Sequence, residues 1–273
     1  MGRLYLVATP IGNLEDISAR ALRVLREAAL IAAEDTRHTR RLLTHFDLHT
    51  PLTSYYEHNK LTKLDAILAA LADGDVALVS DAGTPALSDP GYELVRAALA
   101  AGFAVVPVPG PSALLAALVA SGLPTDAFVY LGFLPRKDAE RQRLLEGVRA
   151  EPRTLVAYEA PHRLLATLAA LAAVLGDRPM AVARELTKLH EEIFRGTVSA
   201  AHAHFAAKEI LGEITLVIAG AGTAAAAPWE AEQVRAELAQ RLAEGVRRRE
   251  AAKQVAALSG WSARAVYDLN TGS

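Results

Sequence analysis

Cysteine is absent from the 273 residues. Its absence removes disulfides, thiolate nucleophiles and Cys-based zinc sites, and it fits a reducing, cytoplasmic setting. Long apolar runs are missing too: none approaches the ~20 residues of a membrane span. Met1-Gly2-Arg3 passes straight into an apolar run, with no secretory pattern. Charge of one sign is not in excess. The 29 Lys and Arg against 31 Asp and Glu leave a net charge of −2, so a nucleic-acid partner would need local basic patches. Familiar site signatures are lacking as well. There is no G-x-G-x-x-G, no Walker loop and no G-x-S-x-G elbow. His162, His190, His202 and His204 form no H-E-x-x-H array, and no metal is expected.

What is present is a foldable α/β pattern. Hydrophobic residues reach 52%, enough for a sizeable core, and the many alanines favour helices. Short β-prone runs at 4–8, 30–33, 52–54, 76–80 and 104–107 alternate with helical periodicity, which argues for βαβ units and a parallel sheet. Ser121-Gly122-Leu123-Pro124 breaks the chain. A second α/β segment follows, with strand patterns at 128–133, 154–158, 180–184 and 214–219. Around Phe194 and Gly196 the pattern is irregular. The expected organisation is a first α/β domain over 1–121, a second over 122–220, an Ala/Gly linker at 221–228 and a helical tail over 229–273. In the tail, Ser262 is placed to cap a last short helix after Ser259-Gly260, a helix-turn-helix-like arrangement that serves either docking or nucleic-acid binding.

The segment VALVSDAGTPALSDPG, 76–91, is the most informative. A buried strand ends on Ser80-Asp81, and small residues follow before helix signals at Asp89-Pro90. Open α/β sheets bind ligands just beyond their strands' carboxyl ends. The same layout recurs at 105–113, where Pro111 suits a first helical position and Ser112 a helix start, and at 4–13, where ATPIGN follows the first strand. Ordinary βα connections use these residue types too. Three such loops together argue for a ligand crevice. Polar clusters at 33–39, 158–163 and 183–188 are either ion-paired surface or the walls of a cleft between two α/β halves. Basic clusters at Arg37, His38, Arg40 and Arg41, at Arg136, Lys137, Arg141 and Arg143, and at Arg247, Arg248, Arg249 and Lys253 are either solvated helix faces or nucleic-acid contacts.

ATPIGNLEDIS at 8–18, AAEDTRHTRRLL at 32–43 and SDAGTPALSDPGYELV at 80–95 resemble the class III, tetrapyrrole-methylase-like S-adenosylmethionine methyltransferases. PGPSA at 109–113, GFLPRK at 132–137, YEAPHR at 158–163 and ARELTK at 183–188 narrow the likeness to the branch that methylates a ribose 2′-oxygen of 16S ribosomal RNA, at cytidine 1402. The likeness runs over roughly 1–220, and a helical tail belongs to that branch. Ala160 departs from the branch, where a hydroxyl residue is expected.

The resemblance implies a two-domain tetrapyrrole-methylase-like α/β fold, with a parallel-sheet N-terminal domain, a mixed-sheet second domain and a small C-terminal helical domain. It implies S-adenosylmethionine as methyl donor, no metal, small-subunit ribosomal RNA as partner and a homodimer. By position, Pro10, Asp81, Thr84, Ser112 and Ala113 should meet the donor from the first domain, and Tyr158, Arg184, Glu185 and Ile214 from the second. Glu159, Glu185 and Asp35 are the candidate bases for the ribose hydroxyl. Lys188 and Arg37 fit phosphate or transition-state partners. Arg37, Arg40, Arg136 and Lys137 are the candidate RNA-phosphate contacts. Two other readings stay open: a methylase of a tetrapyrrole or protein side chain, and a non-enzymatic nucleic-acid-binding protein acting through its tail.

Overall fold

A computed structural model describes residues 2–222 and 229–269. Strands β1 (Arg3–Val7), β2 (Leu30–Ala33), β3 (Leu52–Ser54), β4 (Val76–Val79) and β5 (Ala104–Val108) form one sheet in the order β3-β2-β4-β1-β5. Every pairing in it is parallel. The crossovers are α1 (Ala19–Glu27), α2 (Thr36–His45), α3 (Leu64–Asp73) and α4 (Tyr92–Ala100). β4 reads as an unbroken apolar run because helices cover both its faces. Ala77 and Val79 pack with Val24 and Leu25 of α1. Val76 and Leu78 pack with Ile67 and Leu71 of α3 and Leu94 of α4. α4 starts at Tyr92 with Gly91 as its cap, so Asp89-Pro90 lies in the preceding loop and not at the helix start.

Helix α5 (Ala113–Ala120) joins the halves. Its sequence, ALLAALVA, is apolar on every side. Leu114, Ala117 and Leu118 leave the first sheet and pack on Val156, Ala181 and Val217 of the second. Burying each leucine contributes about 1.5–3 kcal/mol. Pro111 precedes this helix, and Ser112 is its N-cap, accepting a hydrogen bond from the Leu115 N–H.

The second sheet comprises β6 (Phe128–Phe133), β7 (Thr154–Glu159), β8 (Pro179–Arg184), β9 (Glu192–Thr197) and β10 (Ile214–Ile218), ordered β6-β7-β10-β8-β9. β6 runs parallel to β7, and the other pairings are antiparallel. Its outer face carries Leu155, Ala157 and Leu216, covered by α6 (Asp138–Gly147), α7 (Leu164–Leu175) and α8 (Val198–Ala206). β9 is the irregular stretch around Phe194 and Gly196. As a half-exposed edge strand it needs no clean alternation of apolar and polar residues.

The tail comprises α9 (Ala231–Ala243), α10 (Arg248–Ser259) and α11 (Ala263–Asp268). It has its own small core of Val234, Leu238, Val255 and Val266. Gly260 closes α10 in the left-handed region at φ 72°, and the Ser262 hydroxyl caps α11. Arg248 is used internally, donating to the carbonyls of Tyr267 and Leu269. Most of the expected linker, 223–228, lies outside the described residues, as do 270–273 of the tail. Among the described residues no helix is long and apolar enough to cross a membrane.

Candidate functional site

The loops beyond β1, β2, β4 and β5 are tied to one another by hydrogen bonds. Thr9 and Gly83 exchange backbone bonds of 2.9 and 3.0 Å. The Thr9 hydroxyl donates to the Ser80 carbonyl at 3.2 Å. The Asp35 N–H donates to Asp81 Oδ1 at 3.0 Å, and the Asp81 N–H to Glu34 Oε2 at 3.4 Å. The Thr84 hydroxyl donates to the Pro111 carbonyl at 3.4 Å. Asp81 therefore sits where the three loops legible in the sequence meet a fourth, the one after β2. Across the gap, Ser88 Oγ and Tyr130 Oη are 2.7 Å apart, linking the first half to β6.

Backbone strain is concentrated in the two facing loops. Ala86 and Ser88 in one, and Glu185 and Thr187 in the other, hold φ of 67°, 65°, 53° and 67° without being glycine. Such conformations cost about 1–3 kcal/mol each and persist only where the surroundings fix them. Gly212, at φ +90°, stands so close to Glu185 that a Cβ there would lie 2.2 Å from its carboxylate.

Between the sheets lies a cavity of about 380 Å³. Asp81, Thr84, Ser112 and Ala113 line it from the first half, and Tyr158 and Ile214 from the second. Pro10 lines an adjoining cavity of about 280 Å³, which shares Asp81 with the first. Arg184 lines neither. Its guanidinium donates to Glu192 and to the carbonyls of His190 and Leu211.

The three carboxylates marked as candidate bases have fixed partners. The Glu159 side chain is fully buried at the edge of the larger cavity. It accepts hydrogen bonds from the Ala160 N–H and the Thr167 hydroxyl, and it pairs with Arg163 at 3.3 Å. Glu185 accepts from Lys188 Nζ at 2.8 Å and from the Glu213 N–H at 3.0 Å. Asp35 caps α2, and hydrogen bonds from Arg37 hold its carboxyl far below the usual carboxylate range. Of the candidate RNA contacts, Arg40 and Arg136 are exposed, Arg37 is exposed but paired with Asp35, and Lys137 pairs with Glu140 at 3.0 Å.

Glu34 and Asp89 also line the larger cavity, beside Asp81. Burial pushes the Glu34 carboxyl up, and repulsion from Asp89 and Asp81 adds to it. Burial likewise raises Asp89, with Asp81 contributing. The larger cavity is lined by these carboxylates and by no Lys, Arg or His. A half-desolvated cluster of negative charge fits a ligand that brings positive charge, as a sulfonium with an α-ammonium does. Among the described residues no three metal-ligating side chains are grouped to hold an ion.

Both carboxyls titrate higher in the folded chain than in the unfolded one. Their stabilising contribution is therefore present at low pH and is lost as pH rises through the raised values. A bound cation draws both titrations back down. Affinity for S-adenosylmethionine is accordingly expected to weaken as pH falls from neutral through the raised range, with protons released on binding. Calorimetry in two buffers of different ionisation enthalpy reads that release, and a pH-independent affinity without proton release would contradict it.

The profile of the family Tetrapyrrole (Corrin/Porphyrin) Methylases matches residues 3–202. Ribosomal RNA small subunit methyltransferase I of Synechocystis is 50% identical over 272 residues, covering 99% of this chain and 98% of its own. The crystal structure of the methyltransferase CobJ superposes with a TM-score of 0.62 over 84% of this chain and 98% of its own, at 20% identity. Uroporphyrin-III C-methyl transferase from Thermus thermophilus, complexed with S-adenyl homocysteine, superposes with a TM-score of 0.55 over 79% of this chain and 97% of its own, at 22% identity. At these identities the two structures speak for the fold alone.

Proposed function

The chain belongs to the tetrapyrrole methylase family and is an S-adenosylmethionine-dependent ribosomal RNA methyltransferase, and on that premise we propose that it methylates the ribose 2′-oxygen of cytidine 1402 in the 16S RNA of the small ribosomal subunit. The observation that carries this reading is the convergence of Asp81, Thr84, Ser112, Ala113, Tyr158 and Ile214 on one acidic cavity between the two sheets. The donor, when bound, supplies a methyl group on a positively charged sulfur. Glu34, Asp81 and Asp89 meet that charge, and the apolar wall of Leu87, Leu186 and Ile214 excludes water beside it. Holding donor and acceptor in one orientation supplies about 7–11 kcal/mol of barrier reduction where alignment is good.

The reading extends to a cytoplasmic homodimer built from a first domain over 1–121, a second over 122–220, a linker at 221–228 and a helical tail over 229–273. Arg37, Arg40, Arg136 and Lys137 contact RNA phosphates in it. Mapping the incorporated methyl on ribosomal RNA, with a porphyrinogen as control acceptor, tests the substrate. The double variant Arg136→Ala/Lys137→Ala is expected to bind small subunits more weakly at every sequence context, with the salt slope reduced by about two. Unchanged affinity and slope would remove these two residues from the interface.

A further inference from the structure

The two adjoining cavities differ in charge. The larger carries Glu34, Asp81 and Asp89 and no basic side chain. The smaller, about 280 Å³, carries His38, Arg41 and Lys188 beside the carboxylates Asp81 and Glu213, so basic groups are found in this cavity alone of the two. They share Ile11, Asp81, Ala82 and Glu213, so they meet along a common wall. A cationic donor fits the first, and a phosphate-bearing nucleotide fits the second. We propose that the smaller cavity receives the acceptor nucleotide and that His38 is the base that takes the proton of its ribose hydroxyl.

This rests on the methyltransferase reading above. His38 lines the smaller cavity, and its Nδ1 lies 4.0 Å from Oδ1 of Asp81, which lines both. At that distance no hydrogen bond fixes the ring, and a neutral imidazole offers one of its nitrogens as a proton acceptor. The remaining charged groups around it are Arg41, one turn further along α2, and Lys188 and Glu213 across the cavity, while Arg37 turns away to Asp35. Lys188 Nζ donates to Glu185 at 2.8 Å and to Glu213 at 3.0 Å, so it is engaged as a cation. Glu159, Glu185 and Asp35 are already engaged, as described. In the step, the ribose oxygen forms the new bond to the methyl carbon. The carbon–sulfur bond breaks with its electron pair left on sulfur, which becomes a neutral thioether. The hydroxyl proton passes to the His38 imidazole.

The test uses the full chain, purified small ribosomal subunits and labelled S-adenosylmethionine. His38→Asn is expected to lower kcat by at least ~100-fold. Its affinity for S-adenosylhomocysteine by calorimetry, and for subunits by filter binding, should stay within about twofold of the parent (the marker of a proton-transfer role). Imidazole should restore part of the rate to His38→Ala. Arg41→Ala should weaken subunit binding and reduce its salt slope by about one, with donor affinity unchanged. Glu34→Gln should do the reverse and weaken donor binding. The side chain of His38 is 54% exposed, so the His38 variants are expected to melt with the parent. A His38→Asn kcat within about threefold of the parent overturns the assignment, as does a parallel loss of donor affinity. A parent chain that binds the donor but labels no subunit RNA overturns the proposed function instead, and this inference with it.

Discussion

Replacing Asp81 with alanine is expected to weaken S-adenosylmethionine binding by on the order of 10- to 100-fold. Asp81 lines both cavities, and its Oδ1 accepts the Asp35 N–H at 3.0 Å. A hydrogen bond to a charged group is worth about 1.5–3 kcal/mol, and each 1.4 kcal/mol is about tenfold in affinity. The effect on folding should be smaller. Asp81 helps raise the titrations of both Glu34 and Asp89, so its removal relieves repulsion in the empty cleft. Losing the acceptor for the Asp35 N–H offsets that gain, so the variant is expected to melt close to the parent while binding its donor poorly. Asp81→Asn separates the two roles, because the amide oxygen still accepts the Asp35 N–H but the charge is gone. Calorimetry with the donor and a thermal melt read both quantities. An Asp81→Ala affinity equal to the parent's would show that the donor lies elsewhere.

Glu159→Ala is expected to act on stability above all. The carboxylate has no exposure, and its partner Arg163 has a side chain only 14% exposed. Breaking a buried ion pair by removing one member costs about 3–5 kcal/mol. Arg163 keeps its hydrogen bonds to the Leu134 and Pro135 carbonyls, which favours the lower end. For a body of this size, about 3 kcal/mol lowers Tm by roughly 6–12 °C. Glu159→Gln retains the shape and one acceptor oxygen and should fall in between. Were Glu159 the base, both variants would lose kcat at temperatures well below their Tm, far beyond what the lowered stability explains.

Glu159 marks where sequence reading ended. A carboxylate at a strand end looks the same on paper whether it faces a ligand or is tied down beneath the cleft. Thr167 and Arg163, which hold the Glu159 carboxylate, lie eight and four residues on, and only α7 and the turn before it bring them back. Asp89 failed in the other direction. Asp before Pro is a common way to begin a helix, and the left-handed residues Ala86 and Ser88, which delay α4 to Tyr92, leave no mark in the sequence. β9 escaped because an edge strand with intermediate burial lacks period-two contrast. β2 and β4 were legible because two-sided burial demands unbroken apolar runs such as VALV. The loops after β1, β4 and β5 were legible because close approach of loop backbones favours the same small residues each time, as between Thr9 and Gly83. His38 stood in a recognised cluster, yet its nearness to Asp81, 43 positions away, needed the parallel pairing of β2 with β4.

The proposed function requires that the acidic cavity between the sheets serve methyl transfer to ribosomal RNA. Incubating the purified chain with unmodified small subunits and methyl-labelled S-adenosylmethionine, then locating the label by mass spectrometry of RNA fragments, tests it most directly. A single methyl on the 2′-oxygen of cytidine 1402 is the expected result. Label on a base, on a ribosomal protein or on no component of the subunit would contradict it.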